Sequence, residues 1–122
     1  MTNYERPESW VSSVVESARS DSNPEWRRFV ARQITIDAGY WIPDRAGDST
    51  DPEHFATATA AIAIAAELDP DGVDVLFLQG RHARVLGDHA AAARWFERVE
   101  ATGDAKFAHA RTTMAATALS GV

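Results

Sequence analysis

Apolar residues recur along this chain at the spacing of a helix. Trp10, Val11, Val14, Val15 and Ala18 make one stripe, and Trp26, Phe29, Val30, Ile34 and Trp41 a second. Phe55, Ala58, Ile62, Ala65 and Ala66 make a third. Leu76, Phe77, Ala83 and Leu86 make a fourth, and Ala92, Trp95, Phe96 and Val99 a fifth. Steps of three and four keep such residues on one side of an α-helix, and no stretch alternates at period two as a half-buried strand would. The pattern predicts an all-α protein.

Polar positions mark where the helices start. RPESW, NPEW and DPEHF share one device, Pro at or near the first helical position followed by Glu. Pro has no N–H to lose there, and Glu suits the positive end of the helix dipole. Asn23 and Asp51 precede their prolines and offer side-chain oxygens as N-caps. Helices are therefore expected near Pro7, Pro24 and Pro52, with a fourth soon after Pro70, a fifth at Asp88 and a sixth at Asp104. SDSN at 20–23 is a turn, and IPDRAGDSTDP at 42–52 is a longer loop that ends the second helix at Pro43.

Gly87 and Asp88 read as a tight joint, with Gly stopping one helix and Asp capping the next. So short a joint makes the two helices antiparallel. Gly80 and Ala83 share a face of the first, and Ala92 and Phe96 share a face of the second. Small residues let the axes approach, and Phe96 fills the space that remains. Gly80 costs about 1 kcal/mol against Ala inside a helix, so a packing reason is expected for it.

Leu76, Gly80, Ala83, Gly87, Ala92 and Phe96 together resemble a tetratricopeptide repeat, a helix–turn–helix unit. The chain departs from that family at Gln79, Ala83 and Val99, where the consensus has Leu, Tyr and Ala. AIAAELDPDG at 63–72 is similar to the end of a preceding repeat with its closing Pro70, and Ile62 stands in for an aromatic. The resemblance covers 53–104; the helix at 24–41 takes the role of the first repeat's other helix, with the loop inserted after it. One domain then divides into an N-terminal helical pair (1–41), a loop (42–52), a repeat-like region (53–104) and a capping helix (105–122), as a small solenoid or bundle. The resemblance implies a non-catalytic groove for a peptide or protein partner. It would be lined by Asp74, Phe77, Leu78, Arg81, Arg84 and Val85, with Arg111 from the last helix. Arg81 and Arg84 lie three apart and share a face, so their guanidinium groups suit an acidic or carboxylate-ended peptide. The Lys and Asn set of the family's carboxylate-clamp members is missing.

Composition narrows the function without naming it. Hydrophobic residues make up 45% and charged residues 25%, an ordinary globular mix. The net charge of −6 disfavours general affinity for nucleic acid. The absence of cysteine excludes disulfides, thiol nucleophiles and thiolate metal sites. MTNYERPESW lacks the pattern of a secretory signal, and FATATAAIAIAA at 55–66 is too short for a bilayer span of roughly 20 residues, so a cytoplasmic protein is expected. His82 and His89 lack the spacing of a helical metal pair, although with Asp88 they form the one metal set worth checking. DPDGVD at 69–74 lacks calcium-loop spacing. Trp41, beside Tyr40 and the loop, is the tryptophan expected to be partly exposed and able to anchor a partner. No catalytic pairing, metal or cofactor is expected. The reading is an adaptor or small subunit of a larger complex. The rivals are a self-assembling structural protein and, further off, a small metal-dependent enzyme.

Overall fold

The computed structural model describes residues 5–42, 51–104 and 113–114, with the side chains of the first helix described from Ser13 onward. Five helices follow one another: α1 (Glu5–Ser20), α2 (Pro24–Gly39), α3 (Pro52–Leu68), α4 (Val73–Val85) and α5 (His89–Ala101). The described residues contain no strand. Thr113 and Met114 are helical, and the rest of the expected sixth helix lies outside the described residues.

The expected start signals carry the chemistry assigned to them. Asn23 Oδ1 accepts the Glu25 N–H at 3.0 Å. Asp51 Oδ1 accepts the N–H groups of Glu53 and His54 at 2.8 and 3.2 Å, and Asp88 Oδ1 accepts that of Ala91 at 3.1 Å. Each satisfies donors that a helix start leaves open. α4 is the exception: Gly72 caps it with no side-chain bond. The α4–α5 joint is a Schellman turn. Gly87, at φ +81°, donates to Arg84 O at 3.0 Å, and Asp88 N–H reaches back to Ala83 O at 3.0 Å. Asp88 closes one helix with its N–H and opens the next with its carboxylate.

α4 packs most extensively on α5, and α2 on α3; α1 lies against both α2 and α3, and α4 against both α2 and α3. No residue of α4 is exposed, so it is the central helix. The main core joins Val15 and Ala18 of α1, Val30, Ala31, Ile34 and Ala38 of α2, Ala58, Ile62, Ala65 and Leu68 of α3, and Val75 and Leu78 of α4. A smaller cluster of Ala83, Ala92 and Phe96, edged by Phe77, Trp95 and Met114, closes α4 onto α5. The Gly80 expectation is met in atomic detail. A Cβ there would stand 2.7 and 2.9 Å from Phe96 Cδ1 and Cζ, and nearer still to Cε1. Only glycine lets the Phe96 ring lie against this backbone.

Three positions correct the apolar stripes. Phe29, placed on the inward stripe of α2, is 51% exposed, and Leu86, placed on that of α4, is 61% exposed. The inward arc of α2 is instead Val30, Ala31, Ile34, Thr35 and Ala38. Thr35 is accommodated because its hydroxyl donates to Arg32 O at 2.7 Å. Trp26, expected in the core, is half-buried at its edge.

Candidate functional site

The α4 residues assigned to a groove are largely occupied by the fold. Leu78 is buried in the main core at 3% exposure, because its position on α4 faces α2 and α3 rather than solvent. Phe77 is half-buried, its ring tilted against Phe96 at a centroid distance of 5.6 Å. Arg81 is half-buried and donates to the carbonyls of Ile42 and Gly39 at 2.5 and 3.4 Å. A helix end leaves its last carbonyls open, and a guanidinium answers both their hydrogen-bonding capacity and the negative end of the dipole. Arg84 is half-buried in the last turn of α4. Arg111 lies outside the described residues.

Arg81 and Trp41, far apart in sequence, come together where α2 ends and α3 begins. Trp41 is half-buried against the core and stacks on His54, centroids 5.0 Å apart and planes 15° from parallel. The neighbouring pair on α3 and α4 repeats the arrangement, Phe55 stacking on His82 at 5.2 Å and 8°. Thr59 Oγ1 donates to Phe55 O at 2.9 Å, so it accepts from His82 Nε2–H at 2.8 Å. Burial disfavours the imidazolium and lowers the His82 pKa. The junction therefore consists of stacked rings and hydrogen-bonded side chains. It holds Ile42 and the start of α3, and among its described residues there is no nucleophile–base pair.

What the periodicity missed is the outward side of α2. Phe29 is 51% exposed, Ile36 46% and Tyr40 82%. Steps of seven and four put them in one row along the helix. Trp26 lengthens the row at its start, stacking on Phe29 at 5.7 Å. Arg28 and Arg32, both exposed, run along one border of the row. Arg32 Nε is 4.0 Å from Asp74 Oδ2, a loose contact that leaves the Arg32 side chain 60% exposed. On the other border, burial pushes the Asp37 carboxyl above its ordinary pKa. The signal was present in the sequence. Trp26, Phe29, Ile36 and Tyr40 form one arc of α2 and Val30, Ala31, Ile34 and Ala38 another. Both are apolar, and a surface helix buries one.

Other candidates give less. Among the described residues, no three His, Asp or Glu side chains gather as a metal site. His82 is engaged with Thr59 on α3, whereas Asp88 and His89 open α5. Asp69 of DPDGVD folds its carboxylate over Gly72, and its carbonyl accepts the Gly72 N–H at 3.1 Å, the geometry of a turn. A depression of about 230 Å³ lined by Asp71, Leu76, Arg98, Ala101 and Thr102 is open to solvent and smaller than ordinary ligand pockets. Arg98 crosses it, 3.2 Å from Asp71, and lies over the Trp95 ring at 5.1 Å. Among the described residues, no helix is long and apolar enough to cross a membrane. Comparison of the chain with protein-family models, with curated proteins and with solved structures finds no match.

Proposed function

We propose that this chain is a non-catalytic interaction module built from tetratricopeptide-like helical hairpins, which docks a protein partner on α2. The observation that carries the reading is the uncovered row Phe29, Ile36 and Tyr40, bordered by Arg28 and Arg32. Contiguous exposed apolar surface on a small domain marks an interaction site, and aromatic residues and Arg are the types enriched at interface hot spots. The packing order supports the repeat-like part. Each helix from α1 to α3 lies against the next, α1 and α2 also reach the next but one, and α4 continues onto α5. Stacked hairpins bury their faces in that order, leaving the first helix of each pair to line a binding surface. α2 holds that place in the first pair and α4 in the second. α4 is the more covered of the two, which moves the partner surface from Phe77, Arg81 and Arg84 toward α2.

The test is affinity capture from the source organism with the unmodified chain and with a Phe29→Ser/Ile36→Ser variant, followed by reconstitution with the purified partner. A stoichiometric partner that the variant loses supports the reading. Absence of any stoichiometric partner with the unmodified chain, together with a monomer by light scattering, overturns it.

A further inference from the structure

We infer that the partner of the α2 row is an amphipathic helix whose apolar stripe is bordered by carboxylates. This rests on the interaction reading above and adds the chemistry of the partner. The row is straight, one side of a sixteen-residue helix, and its anchors at 29, 36 and 40 repeat at the spacing with which one helix lies along another. A helix laid there meets Phe29 and Ile36 with its apolar stripe and passes beside Arg28 and Arg32. Its carboxylates would find two guanidinium groups held on successive turns, four residues apart. The chain's net charge is −6, and on this border Arg28 lies near Asp69 and Arg32 near Asp74, loose acidic neighbours that a partner's carboxylates would displace. A second copy of the chain fits less well. It carries the same net charge, and two such rows laid together bring four arginines to one interface.

The experiment uses the full chain and two synthetic peptides with the same helical Leu stripe, one bordered by Glu and one by Lys. Binding is read by anisotropy of a dye on the peptide. The Glu peptide is expected to bind more tightly by about fivefold, the effect of two partly exposed ion pairs, and to weaken as salt rises. Phe29→Ser/Ile36→Ser should reduce that binding by at least about tenfold. Arg28→Glu/Arg32→Glu should invert the preference in favour of the Lys peptide, while Arg94→Glu on α5 leaves it unchanged. All five positions are exposed, so the fold tolerates the changes, and circular dichroism checks this. Equal binding of the two peptides, no inversion on charge reversal, or a dimer of the chain that Phe29→Ser/Ile36→Ser dissolves would overturn the inference. A captured natural partner that survives the row variants would overturn it while leaving the interaction module standing.

Discussion

Replacing Gly80 by Ala tests the α4–α5 packing with one carbon atom. Elsewhere in a helix the change would stabilise by about 1 kcal/mol, since glycine loses more backbone freedom on folding. Here the added Cβ enters the space of three ring carbons of Phe96, a residue with 0% exposure. Overpacking of a filled core costs about 1–3 kcal/mol, and the closeness of all three contacts puts this case at the upper end. The net expectation is a loss of about 1–2 kcal/mol and a fall in Tm of roughly 5 °C for a domain of this size. Phe96→Leu removes Cε1 and Cζ, so in that background Gly80→Ala should be neutral or stabilising by up to about 1 kcal/mol. The sign change is the diagnostic result, a coupling of about 2 kcal/mol in a double-mutant cycle. Urea unfolding followed by far-UV circular dichroism measures all four proteins. A Gly80→Ala protein more stable than its parent, or an equal penalty in both backgrounds, would refute the close-approach argument.

Other predictions follow from the caps and the junction. Gly87→Ala meets no atom within 4 Å, so its penalty is backbone strain alone at φ +81°, about 1 kcal/mol, and no second-site change in a side chain should relieve it. Asp88→Ala should cost about 1 kcal/mol through the lost cap, whereas Asp88→Asn should retain most of it. His82 stays neutral in the folded chain at pH values where the unfolded chain, near the ordinary 6.5, is already protonated. Its contribution is therefore complete above about pH 6.5 and declines as pH falls toward the lowered folded-state value; His82→Gln should flatten that part of a stability–pH curve. Arg81→Met keeps the stem and removes the bonds to Gly39 and Ile42. Amide hydrogen exchange should rise at the C-terminal turn of α2 and not at the α4–α5 joint, and a uniform rise would contradict the local tether.

Local chemistry made the helices legible. Pro24 and Pro52 with their capping Asn23 and Asp51, and Gly87 with Asp88, act within a few residues, so the sequence alone places those boundaries. Gly80 and Phe96 were legible as a pair because they sit on helices joined by a three-residue turn. The side of α2 facing inward was not legible. Phe29 and Ile36 are as apolar as Val30 and Ile34, and tertiary packing, not periodicity, chose between the two arcs. The engagement of Arg81 was not legible for a related reason. Its spacing from Arg84 showed which side of α4 it occupies but not that the end of α2, about forty residues earlier in the chain, would bring two carbonyls to it.

The stacking of Trp41 on His54, with Arg81 on the Ile42 carbonyl and Asp51 capping α3, fastens both ends of the 42–52 connection to the body of the protein. Ile42 and the start of α3 are thereby held in place on the described body of the protein. Closure entropy grows slowly, by about 0.6 kcal/mol for each doubling of length. Sequence inserted between positions 42 and 51 is therefore expected to leave α2 and α3 in register. A reporter or binding tag carried there would test whether the outward side of α2 keeps the binding proposed for it.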